Sequence, residues 1–136
     1  MVKPIVKDIY TLVQPCEPAT PMDVNGAAKD LLDTFLDNGK VTGMAANMIG
    51  VRKRIICVKD GNRTLLMYNP QILEQVNAYQ TSEGCLSLIG ERPCTRYRRI
   101  KVEYLDENFV HRIKNFSGYT AEIIQHEIDH CEGILI

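Results

Sequence analysis

The hydrophobic and polar positions along the chain predict two amphipathic helices separated by a series of strands. Apolar residues recur at helical spacing over 27–35, after Asp23 as a candidate N-cap and before Gly39, a residue that favours the end of a helix. A second helix of about 14 residues is predicted between Ser117 and Gly133. Each helix has an apolar side that must pack against another element.

The segment between the two helices predicts an antiparallel sheet. Apolar runs and alternating positions predict strands at residues 54–59, 64–68, 72–76, 99–105 and 110–116. Asp60-Gly61 favours a hairpin turn, and Asn69-Pro70 predicts a break between the second and third strands. Strands followed by a final helix indicate an α+β domain in which the helix packs against the sheet.

Composition limits the class of protein. The 136 residues fit one domain, residues 1–136, with 45% hydrophobic and 24% charged residues. The formal net charge of −1 argues against DNA binding. We expect a cytoplasmic protein without a membrane segment, because no apolar stretch could span a bilayer and the first residues lack the features of a signal peptide. The five cysteines form no CxxC pair, which favours free thiols, buried small residues or metal ligands.

The predicted last helix contains an HExxH motif. His126 and His130 are four residues apart and therefore share one helical face, as metal binding requires. Three residues of the preceding turns share that face: Tyr119, Glu122 and Ile123. Small and apolar residues occupy the opposite side: Ala121, Ile124, Ile128 and Cys131. The remaining polar sector consists of Gln125, Asp129 and Glu132. A chance motif on a solvated helix is the alternative, but the apolar far side argues against it.

A metal site for catalysis needs a third protein ligand and an open position for water. Because the sequence ends soon after His130, we expect that ligand to come from upstream. Cys85 has the most distinctive setting, since it follows Gly84, which permits close approach of the backbone. The other cysteines fit packing or surface positions better: Cys16, Cys57, Cys94 and Cys131. A site of two histidines and one cysteine suits Zn²⁺ or Fe²⁺, whereas a buried free thiol is the alternative for Cys85.

Three segments together resemble the signature motifs of peptide deformylases. Residues 43–50, GMAANMIG, are similar to the family's GLAAxQxG motif, and residues 83–87 match its EGCLS motif in full. Residues 125–130, QHEIDH, match the QHExDH helix, with Gly133 following as it does in the family. The segments occur in the family's order and the resemblance spans nearly the whole chain.

The resemblance implies a peptide-deformylase-like α+β fold with antiparallel strands around a central C-terminal HExxH helix. Cys85, His126 and His130 would hold Fe²⁺, which Zn²⁺ or Ni²⁺ can replace. The implied reaction removes the formyl group from the N-terminal formylmethionine of new polypeptides. Glu127 would serve as general base and then as general acid, and the backbone N–H of Leu86 would stabilise the formyl oxygen. The partners implied are formylated nascent peptides near the ribosome, bound by a monomer.

The resemblance also indicates where the peptide binds. Backbone groups around Gly43 and Gly84 would pair with it as with an added strand. The expected substrate-binding residues are Gly43, Met44, Glu83, Gly84, Arg92, Tyr119, Glu122 and Ile123. Arg92 is the best candidate of a basic segment, because it is nearest to Cys85. The other basic residues, Arg96, Arg98, Arg99 and Lys101, fit a solvated strand face better than contacts with acidic partners or RNA. For Glu122, an exposed carboxylate at the pocket rim is favoured over an altered specificity.

Met48 stands where the family has a glutamine that donates a hydrogen bond to the developing oxyanion. A thioether is a weak acceptor and cannot donate. Loss of one such donor costs about 10²–10³-fold in rate. The sequence therefore predicts weakened deformylase activity. The alternatives are a catalytically impaired metal protein that binds peptide N-termini, and an amidase for another N-acyl substrate.

Overall fold

A five-stranded antiparallel sheet organises the chain, and its strands are neighbours in the order in which they occur in the sequence. The computed structural model describes residues Met1–Ile136. The strands are β1 (Gly43–Ala45), β2 (Ile55–Asp60), β3 (Arg63–Cys85), β4 (Leu88–Leu105) and β5 (His111–Ser117). The α-helices are α1 (Ile9–Leu12), α2 (Ala27–Asp37) and α3 (Gly118–Cys131), with 3₁₀ turns at Pro21–Asp23 and Ala46–Ile49. The predicted α+β class is confirmed. None of the helices is long and apolar enough to cross a membrane.

The two central strands are much longer than the sequence pattern predicts. Residues 64–68 and 72–76 belong to one strand, β3, so the predicted break at Asn69-Pro70 is wrong. The pairing with β4 shifts register between Tyr68 and Gln71, and Asn69 has a positive φ of 53°. Asparagine tolerates this left-handed conformation, and the irregular pairing accommodates a proline that has no N–H to donate. Likewise β4 begins at Leu88, well before the predicted residue 99.

The start of α2 also differs from the prediction. Asp23 does not cap this helix, which begins at Ala27 with Gly26 as its N-cap. Instead, the Asp23 carboxylate accepts a hydrogen bond from the backbone N–H of Thr20 at 2.8 Å, within the preceding 3₁₀ turn. Asp23 therefore caps the 3₁₀ turn that begins at Pro21 and is not available to cap α2.

Helix α3 packs across the sheet and brings the HExxH motif into the interior. Ser117 occupies the predicted N-cap position, although its side chain makes no capping hydrogen bond, and the closing Gly133 has a positive φ of 78°. The side predicted to be apolar is buried. Gln125, however, is not part of a polar surface, since it is only 4% exposed. Its side-chain amide accepts from the backbone N–H of Tyr97 and donates to the carbonyl of that residue, each at 2.8 Å. Gln125 thereby ties α3 to β4.

Candidate metal centre and active site

The three predicted metal ligands converge at the junction of β3 and α3. Cys85 is the last residue of β3, and its sulfur lies with the ring nitrogens of His126 and His130 in a cluster whose ligand atoms are all within 4.8 Å of one another. The Nε2 atoms of the two histidines are 3.0 Å apart. The backbone N–H of Ser87 donates to the Cys85 sulfur at 3.4 Å. The fold therefore gathers one thiol and two imidazoles around a single point.

These residues fit a divalent transition metal. Burial opposes a charge on His126, but hydrogen bonds with Cys85 and Glu83 raise the pKa of this imidazole to about 10. Burial and the neighbouring charge of His126 lower the pKa of His130 to about 3. One sulfur and two imidazole nitrogens are the donor set that zinc and iron sites use.

A buried ionic network stands behind the metal ligands. Oε1 of Glu83 lies 2.8 Å from Nδ1 of His126, and the same oxygen accepts from Nη2 of Arg96 at 2.7 Å. Arg96 also donates from Nη1 to Asp129 at 2.6 Å. Burial opposes ionisation of Glu83, but hydrogen bonds with His126 and Arg96 lower the pKa of its carboxyl. Glu83 is therefore placed to orient the His126 imidazole, as carboxylates next to metal-bound histidines commonly do.

Arg96 is the principal residue that sequence reasoning missed. It was predicted on a solvated strand face, and that prediction is wrong because the residue is only 4% exposed. Arg96 shares its side of β4 with Ile100 and Val102, both of which face the core. The alternation of buried positions at Ile100 and Val102, extended towards the N-terminus of β4, could have predicted that Arg96 is buried.

Glu127 is the buried acid next to the ligands. It is 4% exposed, and its Oε1 has no hydrogen-bond partner. Burial raises the pKa of this carboxyl to about 7. A Cβ at position 43 would come within 2.7 Å of Glu127 Oε2 and 2.6 Å of the Ile123 side chain, so Gly43 leaves the space that the carboxyl occupies. An unpartnered carboxyl with a pKa near neutrality has the properties of a general base.

A cavity of about 490 Å³ opens over this cluster. Most predicted site residues line it: Gly43, Met48, Glu83, Gly84, Cys85, Leu86, Tyr119, Glu122, Ile123, His126 and Glu127. Five further lining residues were not predicted: Lys40, Val41, Thr42, Ser82 and Glu91. Met44 and Arg92 do not line the cavity, although both were expected at the substrate site. Met44 is fully buried, backbone included, so its expected contact with the substrate is wrong.

The side of the cavity around Met48 is apolar. Met48 lies in the 3₁₀ turn Ala46–Ile49 and is 1% exposed. Its sulfur accepts a hydrogen bond from the backbone N–H of Ala45 at 3.4 Å. Leu86 also lines the cavity, in the turn between β3 and β4, and is 42% exposed. Met48 therefore brings no donor to the cavity.

Glu122 lies at the cavity wall in a more defined setting than an exposed rim carboxylate. The residue is half-buried, and Oε1 accepts a hydrogen bond from the hydroxyl of Tyr79 at 3.0 Å. Burial and a hydrogen bond with Glu83 raise the pKa of Glu122. Tyr79 was not predicted, because it reaches α3 from a part of β3 that is distant in sequence.

An HExxH helix packed on an antiparallel sheet, with a cysteine as third ligand and a buried glutamate beside it, defines a class of metal-dependent hydrolases. The chain belongs to the polypeptide deformylase family, whose model matches residues 2–136. It is 52% identical to a peptide deformylase of Clostridium beijerinckii over 137 residues, which cover 100% of both chains. The resemblance to peptide deformylases is thereby confirmed.

Solved structures of the family have the same fold. The crystal structure of peptide deformylase from Thermus thermophilus superimposes with a TM-score of 0.87 at 34% identity, covering 98% of this chain and 83% of that chain. A Met-Ala-Ser-bound class I type b peptide deformylase from Acinetobacter baumannii gives a TM-score of 0.89 at 29% identity, covering 99% and 97%. Members of the family are metal-dependent hydrolases that remove the formyl group from N-terminal formylmethionine, and this is the reaction of the present chain.

Proposed function

We propose that Cys85, His126 and His130 hold the catalytic metal ion, with Fe²⁺ as the physiological ion and Zn²⁺ or Ni²⁺ as substitutes. The convergence of the three ligand atoms within 4.8 Å, next to a buried glutamate, is the observation that carries this assignment. A metal ion in such a site acts as a Lewis acid and makes water acidic enough to be a nucleophile at neutral pH. Glu83 holds His126 by its Nδ1, so that Nε2 is the nitrogen presented to the metal.

Glu127 is the proposed proton carrier of the hydrolysis. Its carboxylate removes a proton from the attacking water, and the resulting carboxylic acid returns this proton to the amine that leaves from the formyl carbon. A pKa of about 7 suits both directions of transfer at neutral pH. Gly43 supports this role, because any side chain there would displace the carboxyl.

The formylated peptide is proposed to bind in an extended conformation along β1. This strand is at the edge of the sheet and pairs only with β2, so its other edge can accept a peptide strand. Gly43 offers backbone groups on this side of the cavity, and Gly84 does so on the other. The first side chain of the peptide then rests on α3, against Ile123, Glu122 and Tyr119. The Acinetobacter relative with bound Met-Ala-Ser supports a peptide site in this fold.

The backbone N–H of Leu86 is proposed to stabilise the oxyanion that develops on the formyl oxygen. Met48 cannot contribute a second hydrogen bond, since its thioether has no donor and already accepts from Ala45. We therefore propose a deformylase with lowered turnover. Arg92 is outside the cavity and stays a candidate for contact with more distant parts of the peptide.

The cellular setting follows from the substrate. We infer that the protein acts in the cytoplasm as a monomer, with residues 1–136 forming one domain, on formylated nascent chains close to the ribosome. The formyl group is present only on newly made chains in this scheme, so the enzyme must reach peptides soon after they emerge.

Release of formate from a formyl-Met-Ala-Ser peptide tests the function. The protein loaded with Fe²⁺ under anaerobic conditions should release formate, and Cys85→Ser should lose both the metal and the activity. Cys16→Ser is the matched control, because Cys16 is a partly buried cysteine that is not in the cluster. Unchanged metal content in Cys85→Ser would contradict the ligand assignment.

The role of Met48 favours a second candidate, a protein that binds peptide N-termini with little or no turnover. Saturable binding of the formyl peptide without formate release would support this candidate. Absence of both binding and release would contradict both proposals.

A further inference from the structure

Two cysteines meet where the N-terminal segment crosses the end of α3. The backbone N–H of Cys16 donates to the carbonyl of Cys131 at 2.9 Å, and the Cys131 thiol is close enough to that of Cys16 to lower its pKa. The crossing is tight, because a Cβ at Gly133 would overlap the backbone carbonyl of Val13. Arg52 also holds the segment, donating from Nη2 to the carbonyl of Pro15 at 3.1 Å. The two cysteines are therefore fixed side by side, although they are far apart in sequence.

This arrangement is compatible with a disulfide bond. Cys16 donates a single backbone hydrogen bond to Cys131, the last residue of α3. Partners joined by backbone hydrogen bonds, as in a sheet, have Cα atoms on the order of 5.5 Å apart. Disulfide-bonded cysteines have Cα separations of about 4.4–6.8 Å. The remaining cysteines are placed differently: Cys57 is buried in β2, Cys85 is in the metal cluster and Cys94 is in β4. Cys16 and Cys131 are thus the pair of thiols that the fold brings into contact.

We propose that Cys16 and Cys131 are an oxidation site, a dithiol that a low-molecular-weight disulfide such as oxidised glutathione converts to an intrachain disulfide. Cys16 reacts first, because it is partly exposed whereas Cys131 is completely buried. Its thiolate attacks one sulfur of the oxidant, forming a mixed disulfide and expelling one glutathione thiolate. The Cys131 sulfur then attacks the Cys16 sulfur of the mixed disulfide and expels the second glutathione thiolate. Two electrons pass to the oxidant, and the two thiol protons end on the two glutathione molecules.

The surroundings of Cys16 favour its role as the first nucleophile. Hydrogen bonding with the Cys131 thiol lowers the pKa of Cys16, and the positive charges of Arg54 and Arg52 act in the same direction. Thiols in such positively charged, accessible settings react faster with disulfides. The neighbouring Cys131 then resolves the mixed disulfide within the molecule, where its effective concentration is high.

The new bond would restrain the helix that bears the metal ligands. It would tie the C-terminal end of α3, next to His130, to the N-terminal segment and close a loop of roughly 115 residues. Closing so long a loop restricts the unfolded chain strongly. We expect the melting temperature of the oxidised protein to rise by at least about 5 °C.

Peptide mapping of the metal-loaded protein tests the proposal. After incubation with oxidised glutathione and alkylation of the remaining thiols, mass spectrometry should find Cys16 linked to Cys131, with the loss of two hydrogens. Cys16→Val should abolish the link and the gain in melting temperature. Cys94→Ser should retain both, because Cys94 lies outside the pair.

Several outcomes would overturn the proposal. These are glutathione left on Cys16 without a link to Cys131, a link from either residue to another cysteine, or a link without a rise in melting temperature. Should Cys16→Val fail to fold, the map of the wild-type protein decides alone, since it identifies the linked residues directly. Formate release is not needed for any of these measurements, so a failure here leaves the deformylase function untouched.

Discussion

The two walls of the cavity are built in opposite ways. The wall formed by α3, β3 and β4, here called the metal wall, contains Glu83, Arg96, His126 and Asp129 in a continuous set of hydrogen bonds between 2.6 and 3.1 Å. The wall formed by β1 and the following 3₁₀ turn, here called the β1 wall, presents Gly43 and the Met48 side chain. Its polar contact is the weak one from the Ala45 N–H to the Met48 sulfur at 3.4 Å.

This difference separates two parts of catalysis. Buried charges persist in a protein when each is paired and hydrogen-bonded, so the metal wall holds its ligands in fixed orientations. Stabilisation of a developing oxyanion needs donors that are already in place, and Met48 supplies none on the β1 wall. On the proposed assignment, the chain combines all the residues needed for metal binding and proton transfer with an incomplete set of donors for charge stabilisation.

The largest effect should come from breaking proton transfer at the metal wall. Glu127→Gln keeps the size of the side chain but removes the base, so formate release should fall by about 10²–10⁴-fold. The metal content should not change, because Glu127 is not in the ligand cluster. Glu132→Gln is the control, since this acid is 51% exposed at the end of the same helix and pairs with Arg54. Equal activity of wild type and Glu127→Gln would exclude Glu127 as the base.

The β1 wall can be repaired, and the repair should increase activity. Met48→Gln introduces an amide donor at the cavity, and kcat should rise by up to about 10²–10³-fold if that donor reaches the oxyanion. Met48→Leu is the matched control, because leucine has a similar volume and no donor, and its activity should equal that of wild type. A gain in both variants would point to altered packing and would contradict the oxyanion explanation.

The buried acid of the metal wall should also make the metal-free protein sensitive to pH. The pKa of Glu127 is about 7 in the folded protein, above its ordinary value of 4.5. A carboxyl whose pKa is raised by folding binds its proton more tightly in the folded state, so stability is lost as the pH rises from 4.5 to about 7. Above pH 7, Glu127→Gln should raise the free energy of unfolding of the chelator-treated protein by roughly 3 kcal/mol.

Urea denaturation at two pH values measures this effect. The two proteins should have the same stability at a pH below 4.5, where Glu127 is protonated in the folded and the unfolded chain. Glu132→Gln should show no such pH-dependent gain. A constant difference between Glu127→Gln and wild type at both pH values would show that the gain comes from packing rather than from ionisation.

Weakening the support behind the ligands should reduce metal affinity. Arg96→Lys keeps the positive charge but cannot donate to Glu83 and Asp129 together as the guanidinium does. His126 is then held less firmly, and competition with a chelator should show metal affinity lowered by about 10–100-fold. Arg99→Lys is the control, because Arg99 is exposed on the opposite side of β4. Unchanged affinity in Arg96→Lys would mean that the network contributes to folding alone.

The sequence predicted what is encoded locally and missed what depends on distant pairing. Helix α3 was predicted with its cap, its end and its reactive face, because a periodic pattern and the HExxH motif lie within a few turns. Arg96 and Tyr79 were missed, since their surroundings depend on the register between β3 and β4, in which these two residues are direct partners. The continuity of β3 was missed for a related reason: Asn69-Pro70 favours a break locally, and pairing with β4 overrides it.

The smallest effect should appear at the margin of the metal wall, where Glu122 is proposed to face the first side chain of the peptide. Along α3, Glu122 is one turn from His126, about 6 Å along the helix axis, which is within reach of a long side chain next to the formyl group. Its carboxyl, held by Tyr79, should favour a substrate side chain with a positively charged end over one with an apolar end.

Glu122→Leu should therefore lower the kcat/KM ratio of formyl-Lys-Ala-Ser to formyl-Met-Ala-Ser by about tenfold. Glu91→Gln, which changes an exposed acid of the same cavity, should leave the ratio unchanged. If the kcat/KM ratio in Glu122→Leu equals that of wild type, Glu122 is a rim residue that does not influence substrate specificity.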